Sequence, residues 1–95
     1  MKVIQDPSVD AAIRTLSDED RRKVSVWLTR LKNWENDEHT RKISKTTVDK
    51  SVHVLNTTDD IRIFFKLDQE AKEITILDIA KPSRFKNINV KTAAE

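Results

Sequence analysis

The chain has 95 residues, 37% apolar and 36% charged, with a formal net charge of +2, which suits one domain with a single modest core. It contains no cysteine and no glycine, excluding disulfides, thiolate chemistry and the glycine-rich phosphate loops that need backbone conformations only glycine tolerates. Its two histidines stand fourteen residues apart, no apolar run is long enough to span a bilayer, and the N-terminus has no signal-peptide layout, so no metal, cofactor or membrane partner is expected and the expected compartment is the cytoplasm.

Residues 2–5 contain Val3 and Ile4 and stop at Asp6-Pro7. That predicts a brief strand, then a helix with proline in its first turn and Asp6 or Ser8 as its cap. Val9, Ala12, Ile13 and Leu16 fall on one face of a two-turn helix. Ser17 opens a second helix, with Asp20 as the acid of an approximate capping box and acids 18–20 at the positive end of the helix dipole. Val24, Trp27, Leu28, Leu31 and Trp34 form its apolar stripe. Both tryptophans keep the period of their aliphatic neighbours, which reads as core anchoring. The two helices make an antiparallel hairpin. Residues 33–41 show no periodicity and are predicted as loop, with His39 facing solvent beside Glu38. Residues 42–49 hold only Ile43 and Val48 as apolar side chains and are predicted as loop or a weak edge strand.

Three strands are predicted at 51–56, 61–68 and 73–80, linked at 57–60 and 69–72. Links this short call for antiparallel hairpins. Without glycine they read as four-residue loops built on a type I turn rather than as two-residue primed turns. Pro82 ends the last strand. The predicted fold is α+β in the order β-α-α-β-β-β, with the helix hairpin packed on one face of a small, mainly antiparallel sheet. The N-terminal strand is expected to pair with the central part of the meander. Residues 1–85 form the domain, and 86–95 a basic, flexible tail.

The central strand carries the pattern with functional meaning. Ile61, Ile63, Phe65 and Leu67 alternate with Arg62, Phe64 and Lys66, so one set faces the helices and the other points to an uncovered face. An arginine, a ring and a lysine on an open sheet surface suit a polyanion, with charge for phosphate and a ring for stacking on a base. The plainer alternative is a solvated strand face with a cross-strand ion pair, for example from Arg62 to Asp78. His53 lies between Val52 and Val54; it is either a general acid or base, or a half-buried side chain packed in the sheet. Between Asp78 and Glu95 the chain has Lys81, Arg84, Lys86 and Lys91 and no acid. Arg84, beside Phe85, is placed to reach over the open face towards Arg62. Two guanidiniums without an acid between them repel each other unless an anion sits there.

Ile61-Arg62-Ile63-Phe64-Phe65, then Ile74-Thr75-Ile76-Leu77-Asp78-Ile79, then Arg84, together with the length and the order of elements, resemble the RelE/ParE toxin superfamily of bacterial type II toxin–antitoxin systems. The resemblance spans nearly the whole chain, with its specific residues in the last third. It implies a RelE-like fold and, in the RelE-like branch, a metal-independent, ribosome-dependent mRNA endoribonuclease that inhibits translation. Members of that branch use basic residues from the sheet, an arginine after the last strand and often a C-terminal tyrosine. Arg62 and Arg84 match residue by residue. Lys45 and Lys50 are positional candidates for the upstream lysines, and His53 for acid–base work. Phe64, Lys66, Lys81, Phe85 and Lys86 are the expected substrate contacts. The chain has no tyrosine, so Phe85 stacks but exchanges no proton. The ParE-like branch implies instead a non-catalytic inhibitor of DNA gyrase, and a third possibility is a degenerate toxin that only binds its antitoxin. All three imply an antitoxin partner that covers basic surface with acidic residues, expected over 33–41 and the open sheet face. The nuclease branch adds the ribosome and mRNA.

Overall fold

The computed structural model describes residues 1–81. Its elements run β1 (Lys2–Gln5), α1 (Pro7–Arg14), α2 (Asp18–Lys32), a 3-10 turn (Trp34–Asn36), α3 (Glu38–Ile43), β2 (Ser44–Thr46), β3 (Val52–Asn56), β4 (Arg62–Asp68) and β5 (Glu73–Ala80). The strands form one five-stranded sheet in the order β1-β5-β4-β3-β2, parallel between β1 and β5 and antiparallel elsewhere.

The first helix starts where proline and its cap dictate. Pro7 occupies the first turn and the Asp6 carboxylate accepts from the Ser8 amide, satisfying a donor the helix itself leaves unpaired. Ser17 caps α2 by accepting from the Asp20 amide at 3.2 Å. The second half of the expected capping box does not form. The Asp20 carboxylate accepts instead from Lys81 Nζ at 2.7 Å, because an ammonium is a stronger donor than the amide it would otherwise reach.

Val24, Trp27, Leu28 and Leu31 from α2 meet Val9 and Leu16, and this layer packs on Leu55, Ile61, Ile63, Phe65, Ile74, Ile76 and Ile79 from the sheet side. Each such side chain stabilises the fold by about 1.5–3 kcal/mol through the apolar surface it removes from water. Trp34 joins this core from beyond the end of α2, in the 3-10 turn, with its ring edge-on to Phe65 at 5.7 Å. It therefore extends the helical stripe without belonging to the helix.

Two expectations are corrected. Residues 33–41 are not a loop, since α3 and the 3-10 turn occupy that stretch. Hydrogen bonding rather than an apolar stripe builds α3. Asp37 accepts from the Thr40 amide at its N-terminus, and its carboxylate takes a two-pronged grip from Arg30 at 2.8 and 3.0 Å. Thr40 is fully buried. His39 is exposed, on α3 rather than in a loop. The N-terminal strand does not reach the centre of the meander either. The two short hairpins place β3 and β5 on the two sides of β4, so β1 finds only the outer edge of β5. The ambiguous stretch after α3 supplies β2, a three-residue edge strand.

Both meander turns solve the absence of glycine with a residue in the left-handed region, Asp60 at φ 60° and Lys72 at φ 55°. In the first turn the Thr57 hydroxyl accepts from the Asp59 and Ile61 amides and donates to the Ile61 carbonyl at 2.8 Å. Trp27 ties that turn to α2, donating from Nε1 to Asp59 at 2.8 Å. No helix among the described residues is long and apolar enough to cross a membrane.

Candidate nucleic-acid interface on the open sheet face

Strand alternation sorts the sheet into two faces. Ile61, Ile63 and Phe65 are buried beneath the helices, whereas Arg62 and Lys66 are exposed and Phe64 is half-buried on the opposite side. Register then aligns the outward residues into rows. Lys45, Val54, Phe64 and Asp78 form one row across β2, β3, β4 and β5. Asn56, Arg62 and Ala80 form the next, and Val52, Lys66, Thr75 and Ile4 the one on the other side. Neighbours in a row stand about 4.8 Å apart, and successive rows about 7 Å apart.

The face therefore has a partly apolar middle, built from Val52, Val54, Phe64 and Leu77, with Lys45, Arg62 and Lys66 around it. Leu77 reaches it through an irregularity. Phe64 pairs with Asp78 and Phe65 with Ile76, so Leu77 is an extra residue on β5. Such a bulge bends the strand and re-aims side chains, and here it leaves Ile76 and Ile79 buried while Asp78 points out into solvent. The ion pair considered between Arg62 and Asp78 is not formed. Arg62 has Asn56 and Ala80 as its cross-strand neighbours, and no salt bridge to Arg62 occurs among the described residues.

Of the residues singled out in the sequence, Arg62, Phe64, Lys66 and Lys45 come together on this face. His53 does not join them. It pairs with Phe65 across the strands and stacks on that ring at 5.3 Å and 17°, on the helix-covered side. Its Nδ1 is buried without a hydrogen-bond partner, and burial pushes its pKa below the ordinary value, since the charged imidazolium is the form that loses hydration. Lys50 is exposed in the β2–β3 link, where Asp49 accepts from the Ser51 amide and hydroxyl. Lys50 and His53 meet Lys66 only at the end of the sheet, where they line a cleft of about 620 Å³ together with Asp68, Glu70 and Glu73.

Lys81 is also diverted from the open face. Its ammonium is held by Asp20, and the two side chains are 23% and 12% exposed. The hydrogen bond from Lys81 holds the Asp20 carboxyl below its usual range. Arg84, Phe85 and Lys86 lie outside the described residues. Sequence reasoning had Asp78 on this face only as a possible partner of Arg62, and missed both its pairing with Phe64 and the extra residue Leu77. The signal was present, because Ile74, Ile76 and Ile79 break the period of two at that point. Among the described residues, no three His, Cys, Asp or Glu side chains are grouped as a metal site would require.

No family model matches this sequence, and no curated protein matches it. Among solved structures, the chain is similar to the crystal structure of the isolated E. coli RelE toxin, with a TM-score of 0.65 and 13% identity, over 92% of this chain and 97% of that one. At this identity the likeness is one of architecture, and on it the α+β fold described above is RelE-like.

Proposed function

We propose that this protein is the toxin of a type II toxin–antitoxin pair, and that its open sheet face engages mRNA on the ribosome. The observation that carries the reading is the outward alternation of Arg62, Phe64 and Lys66 on the central strand, with Lys45 in the Phe64 row. Likeness in fold to a RelE toxin supports it. A guanidinium grips a phosphate with two parallel hydrogen bonds, and an ammonium adds a point charge. The phenyl ring offers a stacking surface to an unpaired base, as single-stranded RNA requires.

The reaction under this reading is internal transesterification. The 2′-oxygen attacks the adjacent phosphorus, its proton passes to a base, the 5′-oxygen leaves with a proton from an acid, and cations stabilise the phosphorane. Arg62, with Arg84, takes the charge-stabilising role. Proton transfer is where the site is thin, because the β3 residues facing outward beside Phe64, Arg62 and Lys66 are Val54, Asn56 and Val52. Turnover on this reading depends on the ribosome to align the message, since alignment lowers the barrier without adding an acid or base.

The same three β3 residues favour a second reading, a toxin that binds without cutting, whether on DNA gyrase or on its antitoxin alone. The expected antitoxin is a small acidic chain that lays an amphipathic segment against the cationic face. Inducing the protein in cells and mapping message ends separates the readings. Breaks within translated messages that vanish with Arg62→Ala are the expected result. Intact messages with DNA damage and filamentation would favour gyrase, and the absence of any growth defect would favour a degenerate toxin.

A further inference from the structure

We propose that Asp78 determines base specificity on the open face by accepting from the paired N–H groups of a guanine stacked on Phe64. The inference rests on the reading of this face as an RNA surface and names what it selects. Asp78 is the direct cross-strand partner of Phe64, which places their Cβ atoms about 5 Å apart. It is exposed, and the extra residue Leu77 is what turns it outward. Its Oδ1 accepts from the Ile79 amide at 2.8 Å, which anchors the carboxylate, and among the described residues no other hydrogen bond engages Oδ2 or the second lone pair of Oδ1. Among the described residues no lysine or arginine forms a salt bridge with it.

An acid with no salt-bridge partner among the described residues, set within a cationic surface, weakens that surface's hold on phosphate. It strengthens binding only if something else in the ligand donates to it. The Watson–Crick edge of guanine presents two adjacent donors, N1–H and the N2 amino group, matching the two oxygens of a carboxylate. Adenine and cytosine each present one amino donor beside a ring acceptor, which a carboxylate repels. Uracil offers one donor between two carbonyls. Phe64 supplies the stacking that every base accepts, and the carboxylate beside it supplies the discrimination. The opposite neighbour of Phe64 in the row, Val54, has no polar group with which to read a base.

The test is equilibrium binding of the full chain to short oligouridylates carrying one central guanosine, adenosine or cytidine, with wild type, Asp78→Asn and Arg62→Ala compared. A well-formed bidentate contact is worth about a tenfold preference. Wild type is expected to favour the guanosine probe by about that factor. Asp78→Asn keeps the shape and one acceptor, so it is expected to lose the preference while binding the adenosine and cytidine probes at least as well. A role confined to the β5 bulge would lower thermal stability and leave the order of the probes unchanged. Equal affinity of wild type for all probes, or a guanosine preference that survives in Asp78→Asn, overturns the inference while leaving RNA binding standing. Binding that is absent, or indifferent to Arg62→Ala, overturns the RNA reading itself and this inference with it.

Discussion

Lys81→Met removes an ammonium that the fold holds against a carboxylate instead of offering it to a ligand. Nζ lies 2.7 Å from Asp20, and the pair closes the end of β5 onto the start of α2 across 61 residues of sequence. Deleting one partner of a fully enclosed pair costs about 3–5 kcal/mol because the other charge stays buried, whereas an exposed pair contributes about 0–1 kcal/mol. The two side chains are 23% and 12% exposed, nearer the enclosed case, so a loss of about 2–3 kcal/mol is expected at neutral pH. That corresponds to a fall in melting temperature on the order of 10 °C or more for a domain of this size. The pH dependence follows from the depressed Asp20 carboxyl. Its contribution is present above its unfolded pKa, about 4, and is lost as pH falls through the lower folded value. In the variant the Lys81 contributions are gone and burial is opposed only by the Ser17 hydrogen bond and the charge of Lys23, so the Asp20 carboxyl is less depressed and the variant loses less stability to acid than the wild type. Urea unfolding from neutral to acidic pH should show the gap narrowing below about pH 4 at unchanged slope. A loss under about 0.5 kcal/mol, or a gap that does not change with pH, would refute the ion-pair account. Weaker RNA binding by Lys81→Met at unchanged stability would return Lys81 to the substrate surface.

Phe65→Ala should cost about 3–5 kcal/mol in denaturant unfolding, because it empties the centre of the core beneath Trp34 and His53. Trp27→Phe keeps the packing but loses the hydrogen bond to Asp59, and should cost about 1 kcal/mol. Lys72→Gly relieves a left-handed backbone at φ 55°; the relief of about 1–2 kcal/mol is partly offset by the freer unfolded chain, so unfolding experiments should show a gain of up to about 1 kcal/mol. NMR titration should place His53 below the ordinary histidine value. Because the unfolded chain then binds more protons, His53 makes the fold lose stability as pH falls below about 6.5.

The meander was legible because every second residue of the 61–67 stretch is apolar, a period that admits one buried face and little else. The helices α1 and α2 were legible from their caps and stripes. Three features were not. The helix α3 offers almost no apolar period, and its stability comes from Asp37, which Arg30 grips from α2. The pairing of Asp20 with Lys81 joins residues whose local sequence reads as a helix cap and a basic tail, so only the closed fold brings them together. The edge position of β1 follows from counting open edges once both hairpins are built, a step that local pattern does not supply. The placement of His53 was within reach. It shares a face with Leu55, and Leu55 is fully buried, so the period of two assigns the histidine to the covered side. On the candidate site, alternation alone brought Arg62, Phe64 and Lys66 to one surface. Asp78 entered that reading only as a possible partner of Arg62, and its pairing with Phe64 through the bulge at Leu77 needed the break between Ile76 and Ile79 to be taken as a signal.

The central claim is that the sheet face opposite the helices is the working surface. Its most direct test is the affinity of the purified chain for short single-stranded RNA, measured at several salt concentrations for wild type and Arg62→Ala. The account predicts roughly tenfold weaker binding by the variant and a salt dependence reduced by about 0.7 in log–log slope, the share of one phosphate contact on a single strand. Equal affinity and equal salt dependence of the two proteins would contradict it.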